Sequence, residues 1–314
     1  MEKIYYTIVI PIYYNEFNIL PTFKILKDEV ITKNKDKKCE LVFIDDGSGD
    51  KSYQVLCQLK VDNPEILIRI IKFTRNFGQQ PAVIAGYEYA QGECVIAIDA
   101  DLQDPPELIN QMLHSFFVEK YPIVIATRAK RKESLYRRFT SKIAYSFIKI
   151  LSGHKNLPST GFNFSLIGKH ELKVIVENLD INPFFAGEVL STGYKIKFIP
   201  YTRAKREIGR SKWTFRKKFQ HFINNITAFS ALPLRFMSFL GVVVALLGFV
   251  YAILIVIGYF FGNTPINGWA AIMVSIYLIG GMIMIMLGVI GEYLWRVLEQ
   301  VRKKKRYIIE TIQQ

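Results

Sequence analysis

The stretch CVIAIDADLQDPPEL, Cys94 to Leu108, joins an uninterrupted apolar run to a polar turn and then to a proline-led helix start. The apolar run has the length and character of a strand buried on both faces. Asp104-Pro105-Pro106-Glu107 is a capped helix start with proline in its first turn. Between the two lie Asp99 and Asp101, at the carboxyl end of the strand.

Outward from this stretch the same pattern recurs. YYTIVIPI (5–12) precedes a helix from about Glu16, ELVFIDD (40–46) one from about Lys51, and LIRIIKF (67–73) one near Pro81 to Ala90. A helix from Pro105 then leads into PIVIAT (122–127). Strand and helix in alternation specify an α/β fold, a doubly wound and mostly parallel sheet covered on both faces. Ligands of such sheets bind beyond the carboxyl ends of the strands. The residues there are Pro11 to Glu16, Asp45 to Asp50, Arg75 to Gly78 and Asp99 to Asp104.

Helix capping explains part of this polarity. Asn15, Asp50 and Asp104 are well placed as N-caps, and that role suffices for Asp50 and Asp104. It does not explain Asp99 and Asp101, which precede the cap. Two carboxylates in a D-x-D arrangement, with the Gln103 carbonyl two residues on, supply hard oxygen ligands for Mg2+ or Mn2+ and leave coordination positions for a diphosphate. No G-x-x-x-x-G-K-[ST] or G-x-G-x-x-G loop follows a strand, which counts against ATPases and dehydrogenases.

The remainder of the chain has a different character. Half of the 314 residues are apolar and the formal charge is +14. Met237 to Phe261 and Trp269 to Gly291 are uncharged over 25 and 23 residues. At ~1.5 Å rise per residue either run as a helix crosses a hydrocarbon core of roughly 30 Å. The loop between them, GNTPING, is uncharged, whereas Arg235 precedes the first run and Arg296, Arg302, Lys303, Lys304, Lys305 and Arg306 follow the second. By the positive-inside rule both flanks face the cytoplasm. The expectation is an integral protein of the inner (cytoplasmic) membrane, with its large N-terminal domain and both termini in the cytoplasm. Met1-Glu2-Lys3 opens no signal peptide, and Cys39, Cys57 and Cys94 lack metal-ligand spacing and suit a reducing compartment.

Between Arg203 and Lys218 lie eight basic residues and one acidic one. Phe215, Phe219, Phe222, Ile223, Ile226 and Phe229 then recur at helical spacing. A basic cluster followed by an amphipathic helix beside a span is attracted to membrane lipids. Charge concentrated there, with no recognisable module, counts against nucleic acid as a partner. The expected organisation is a cytoplasmic domain over 1–211, a juxtamembrane helix over 212–231, a transmembrane hairpin over 232–295 and a basic tail over 296–314.

In VIPIYYNE, IDDGSGD, TRNFGQQ, AIDADLQDPPEL, IATR, REIGRSKW and LGVIGEYL the chain resembles the GT-A-fold, family 2 inverting glycosyltransferases. Within them it is similar to the polyprenyl-phosphate sugar transferases related to dolichol-phosphate mannose synthase, in particular the bacterial bactoprenol glucosyltransferases with two C-terminal membrane helices. The resemblance implies that Pro11, Tyr13, Glu16 and Asp46 line a nucleoside pocket, with Asp45 beside them and Asp46 reading the base. Arg75 and Gly78 complete that wall. Asp99 faces the nucleotide and shares the metal with Asp101 and Gln103. Arg128 approaches the sugar or phosphates, while Arg206, Ser211 and Lys212 gather the diphosphate and the acceptor phosphate. Asn163 stands where the family has an aspartate, and Gln79 where relatives often carry a basic residue.

The implied reaction moves a hexose from a nucleotide-sugar donor to polyprenyl (undecaprenyl) phosphate and releases the nucleoside diphosphate. An acceptor phosphate whose second ionisation lies at roughly pH 6 is a dianion near neutrality and needs no strong base, so Asn163 serves as a positioning group. The glucosyltransferase branch points to UDP-glucose, with UDP-galactose, UDP-N-acetylhexosamine and GDP-mannose as alternatives. A processive synthase is disfavoured by two spans and the missing Q-x-x-R-W. A silent nucleotide-sugar or lipid-phosphate binding membrane protein is the rival of another class. The resemblance also brings an expected homotetramer and a downstream flippase.

Overall fold

The computed structural model describes residues 3–128, 164–179, 185–202, 239, 241–244, 246–247, 249–250, 253–254, 257, 268–302 and 305–314. The chain forms two compact units, Met1–Trp213 with Lys305–Gln314, and Thr214–Lys304.

The first unit is an α/β sheet. Its strands are β1 (Tyr6–Ile12), β2 (Cys39–Asp45), β3 (Leu67–Phe73), β4 (Cys94–Ala97), β5 (Ile123–Arg128), β6 (Ser165–Gly168), β7 (Ile196–Tyr201) and β8 (Ile309–Gln313), in the order β7-β5-β6-β4-β1-β2-β3-β8. Pairing is parallel from β3 through β2 and β1 to β4, and between β5 and β7. The helices include α1 (Ile19–Leu26), α2 (Ser52–Asp62), α3 (Gln79–Tyr89), α4 (Leu108–Phe117), α5 (Lys169–Asn178) and α6 (Phe185–Ser191).

The period-2 geometry of the strands divides the core into two layers. Ile8, Ile10, Leu41 and Phe43 pack with Ile19, Phe23, Leu26 and Leu56 of α1 and α2. Val9, Val42 and Ile44 pack on the other side with Ala82 and Ala85 of α3. There the helix lies so close that a Cβ on Gly86 would stand 2.2 Å from a methyl of Val9. Every residue of β2 is buried, which is why its central run carries no outward polar alternation.

Three placements depart from the simple alternation. β6 runs antiparallel between β4 and β5, so the PIVIAT strand does not neighbour the CVIAI strand directly. The C-terminal residues expected as part of a basic tail over 296–314 are corrected by β8, which pairs antiparallel with β3. Its Ile309 and Ile312 pack on the α3 side of the core, and apolar burial there outweighs the basic character of the preceding residues. The third concerns Asp104, described below.

In the second unit the described helix is α7 (Trp269–Val301), 33 residues long, which contains the second predicted span. The first predicted span lies largely outside the described residues, so the hairpin over 232–295 is not confirmed. Only part of the α7 side chains and scattered residues of 237–261 are described.

Candidate functional site

The sheet reverses its winding at β1: the chain moves one way to β2 and β3, and the other way to β4. This topological switch point opens a crevice beyond the carboxyl ends of β1 and β4, where Tyr13 to Glu16 and Asp99 to Gln103 emerge.

The loops after β1 and β2 are stitched together. The Tyr14 amide donates to Ser48 Oγ at 3.0 Å and the Asn15 amide to Ser52 Oγ at 3.0 Å. The Lys51 amide donates to Glu16 Oε2 at 2.9 Å. Glu16 is thereby engaged in holding the two loops, and Tyr13 packs edge-on against Tyr14 at 4.8 Å. The β2 loop is a tight turn. Gly47 has φ +66, and a Cβ there would lie 2.4 Å from the Arg75 carbonyl carbon.

Asp45 ends β2, Asp46 follows it, and both are buried. Asp45 Oδ1 accepts the Ser48 amide at 3.0 Å, while its other oxygen is buried without a hydrogen bond from the described residues. Asp46 gathers the loop after β3. Its carboxylate accepts the Phe77 amide at 2.7 Å, the Gly78 amide at 2.9 Å and the Asn76 side chain at 2.8 Å. Arg75 lies over the Phe77 ring at 4.2 Å. Gly78, at φ +109, leads into α3. Two carboxylate oxygens offer about four acceptor sites, so three donors leave room for about one more.

Burial pushes Asp46 up to about 6, against the pull of the Phe77 and Gly78 amides, with Asp45 raising it and Arg75 lowering it further. The ionised carboxylate is the form that holds the loop. Ligand binding at this wall is therefore expected to weaken as pH falls through about 6, a step measurable by calorimetry with an intact nucleotide sugar as the probe, which has no phosphate monoester to titrate there. Stability moves the opposite way. A folded pKa raised above the usual 3.8 makes a contribution that is complete below that value and is lost as pH rises through about 6. In Asp46→Asn the binding step is expected to vanish and binding to be weaker throughout, because an amide N–H would face backbone N–H groups. A step that persists in that variant would assign the titration to another group.

The D-x-D turn is positioned from several directions. The Ile98 amide continues the β1 pairing by donating to Val9 O at 3.1 Å. Buried Thr22 of α1 donates to the Ala100 carbonyl, between the two aspartates, at 3.0 Å. Leu102 adopts φ +53, uncommon for a side chain of its size, and the Gln103 amide donates to Asp101 Oδ1 at 3.2 Å. Gln79, at the start of α3, donates to Asp99 Oδ1 at 2.6 Å and so joins the Asp46-held loop to the D-x-D turn. Where the resemblance leads to the expectation of a basic residue, this chain places a neutral donor to Asp99.

Among the described residues no three His, Cys, Asp or Glu side chains converge as a metal cage. The donor set of Asp99, Asp101 and Gln103 nevertheless fits a hard divalent ion shared with a ligand, since oxygen-only donors that do not complete the shell leave it room for phosphate oxygens.

Asp104 is the residue misread as a cap. The described helix starts at Leu108 with Glu107 before it, and Asp104 is buried, its carboxylate bonded to the Tyr201 hydroxyl at the end of β7. Tyr201 also accepts from Arg128 Nε at 3.4 Å. Burial lowers the Arg128 pKa, but Tyr201, Asp104 and Asp99 outweigh it and hold the guanidinium charged. Asp50, also expected as a cap, stands one residue before the Lys51 N-cap of α2 and accepts the Ser52 amide at 3.0 Å.

The structure therefore gathers Asp45, Asp46, Arg75 and Gly78 in one hydrogen-bonded wall, and Tyr13 and Glu16 on the stitched loops beside it. Asp99, Asp101, Gln103 and Arg128 follow at the next strand ends. Pro11 pairs in register with Ile44 within the sheet. Asn163, Arg206, Ser211 and Lys212 lie outside the described residues. Thr22, Tyr201 and the structural role of Asp104 were missed, because their partners are 78, 73 and 97 residues away.

Residues 7–176 match the family model described as Glycosyl transferase family 2. The uncharacterized glycosyltransferase YkcC of Bacillus subtilis (strain 168) is 36% identical over 311 residues, 98% of this chain and 94% of that protein. The prophage bactoprenol glucosyl transferase homolog of Escherichia coli (strain K12) is 33% identical over 312 residues, 98% of each. The mannosyltransferase PcManGT of Pyrobaculum calidifontis, solved with GDP-Man and Mn2+, superposes with a TM-score of 0.50 at 15% identity. That match covers 73% of this chain and 64% of the mannosyltransferase, and it shows a common fold.

Proposed function

The chain belongs to glycosyl transferase family 2, and from that premise we propose that this hexosyltransferase moves glucose from UDP-glucose to polyprenyl phosphate at the cytoplasmic face of a membrane. The observation that carries this reading is the meeting of two sites at one switch point: the Asp46-held wall and the D-x-D turn, joined by the 2.6 Å bond from Gln79 to Asp99. One suits a nucleoside and the other its diphosphate. Relatives named for bactoprenol glucosyl transfer, alignable over nearly the whole chain, support the lipid acceptor and the glucose donor.

The residues divide the work. Arg75 and the loop amides line the base side, and Arg128, held charged at the end of β5, faces the diphosphate. Asp99, Asp101 and Gln103 would hold Mg2+ or Mn2+, which when bound neutralises charge on the departing diphosphate. The acceptor phosphate arrives as a dianion, so positioning in line with the anomeric carbon is the protein's main task and one displacement inverts that centre. Asn163, Arg206, Ser211 and Lys212 are the proposed acceptor-side groups.

The same reading puts the runs 237–261 and 269–291 in the inner membrane, with residues 1–211 and both termini in the cytoplasm. Two features support it. Along α7 large apolar side chains stand exposed on more than one face, among them Ile272, Ile276, Ile283, Met284, Ile285 and Leu287, which water would oppose. The pairing of β8 with β3 also requires the chain to return to the face it left, which an even number of crossings achieves. A tetramer and a partner flippase belong to the same proposal.

The test is an incubation of detergent-solubilised protein with undecaprenyl phosphate, Mg2+ or Mn2+ and a panel of radiolabelled nucleotide sugars. Label is expected in the organic phase from UDP-glucose and to be lost with chelator. Transfer from a different donor would replace the sugar assignment. No transfer from any donor to this lipid by folded protein would overturn the acceptor.

A further inference from the structure

The edge strand β8 reaches the donor wall through a stack of aromatic rings. Tyr307 lies face to face with Phe73, the last residue of β3, at 4.9 Å and an interplanar angle of 10°. Phe73 in turn meets Phe77 edge-on at 5.7 Å and 90°. Phe77 is the residue whose amide is held by Asp46 and whose ring lies under Arg75. The stack is anchored at its outer end. The Tyr307 hydroxyl bonds to Glu88 of α3, Arg306 is bonded to the Leu179 carbonyl and lies 3.7 Å from the same Glu88, and the Thr74 amide donates to Ile308 O at 3.1 Å.

The loop Arg75–Gly78 is thus gripped from two directions, by the Asp46 carboxylate on the β2 side and by the ring stack on the β8 side. Arg75 and Asn76 themselves are exposed and contribute little burial to hold it. We propose that Tyr307 is a positioning residue for the donor's nucleoside wall: by stacking on Phe73 it sets Phe77, and through Phe77 the two amides on Asp46 and the guanidinium of Arg75. The assignment of that wall to the donor rests on the function proposed above; the effect of Tyr307 on the loop does not.

Two readouts on the full-length protein separate these. Hydrogen exchange at the Phe77 and Gly78 amides reports the loop, and donor KM against kcat reports its use. In Tyr307→Ala the two amides are expected to exchange several-fold faster while Ile70 and Ile71, paired with Gln313 and Ile312, keep their protection. Donor KM is expected to rise about 3- to 10-fold, the scale of one lost aromatic pair, with kcat within about twofold. Tyr307→Phe keeps the stacked ring and should return both readouts to near the parent. Tyr307→Leu fills the space without a ring and should behave as the alanine variant if that one does not fold. Gln313→Ala loosens the far end of β8, where Gln313 reaches Tyr53 and Cys57, and should change neither readout.

Unchanged exchange at Phe77 and Gly78 in folded Tyr307→Ala or Tyr307→Leu would overturn the inference. So would a uniform loss of protection along β3 and β8, because that is the mark of a purely structural strand. If the loop responds as expected but the parent transfers no sugar from any donor, it is the function proposed above that fails and the positioning role that stands.

Discussion

Asp101→Asn is expected to lower sugar transfer by roughly 10²- to 10³-fold, the scale of losing one preorganised electrostatic group at a reacting diphosphate, while leaving the fold intact. Asp101 is half-buried at the mouth of the crevice, and its bond to the Gln103 amide closes a local turn that an asparagine oxygen can still close. What the amide cannot supply is charge. A hard divalent ion prefers anionic oxygen, and two carboxylates are all the anionic ligands the turn offers. Excess Mn2+ is expected to recover part of the loss, because weakened metal affinity is answered by concentration. The assay is initial rate of label transfer against metal concentration, with circular dichroism of both proteins alongside. An Asp101→Asn protein that keeps more than a third of the parent rate at low metal would remove this residue from the metal site.

Gly47→Ala is expected to have the second large effect, on both stability and donor binding. The residue sits at φ +66, in the left-handed region that costs a side chain about 1–2 kcal/mol. Its new methyl would also stand 2.4 Å from the Arg75 carbonyl carbon and 2.8 Å from the Asn76 nitrogen, both backbone atoms that cannot rotate aside. Overpacking of this kind costs typically about 1–3 kcal/mol more. Relief requires the Arg75–Gly78 loop to retreat from the Asp46 carboxylate, so the nucleoside wall opens. The expected result is a calorimetric transition lower by about 5–10 °C and donor binding weakened by more than about tenfold, the equivalent of one charge-assisted hydrogen bond. Gly49→Ala is the comparison. There the methyl meets the Tyr14 hydroxyl at 2.7 Å, the far end of a half-exposed side chain rather than a backbone atom. It should lose far less. Equal effects at the two positions would mean that turn flexibility, and not the approach of Arg75, explains the glycine.

Much of the site was legible because it obeys local rules. The runs ending at Ile12, Asp45, Phe73 and Ala97 announce themselves by length and β-branching, and the observed strands match the predicted runs except that β2 begins one residue earlier, at Cys39. A doubly wound sheet then sends the following residues to one edge whatever the details of packing. Asp45, Asp46, Asp99 and Asp101 could therefore be chosen as candidates from their position at a strand end, whereas Arg128 was indicated by the family resemblance. Asp104 could not be assigned correctly in the same way. Asp-Pro-Pro is a sound helix-start signal, and nothing nearby in the chain says that Tyr201, 97 residues on, will take up the carboxylate. Asp46 was legible as a site residue, but its present duty of binding two amides and an asparagine from the β3 loop was not. Gln79 was noticed as a departure from relatives, while its bond to Asp99 appears only once α3 has docked.

The C-terminal strand marks the boundary most sharply. Residues 296–314 read as a basic tail, above all because the five consecutive positions 302–306 are Arg or Lys. The few residues after them carry too weak a pattern to specify a strand, and a lone strand of this length has no stability of its own. Its existence depends on the open edge of β3, which presents backbone donors and acceptors and an apolar rim around Phe73. By itself, then, the sequence determined the α/β alternation and the strand ends at which chemistry is gathered, since both follow from periodicity and turn residues a few positions apart, and it carried the motifs by which the family is recognised. The tertiary structure alone decided the strand order with β6 between β4 and β5, the Asp104–Tyr201–Arg128 and Gln79–Asp99 contacts, and the return of β8 to the sheet. Those depend on which distant surfaces bury one another best, a sum over the whole core that no local pattern encodes.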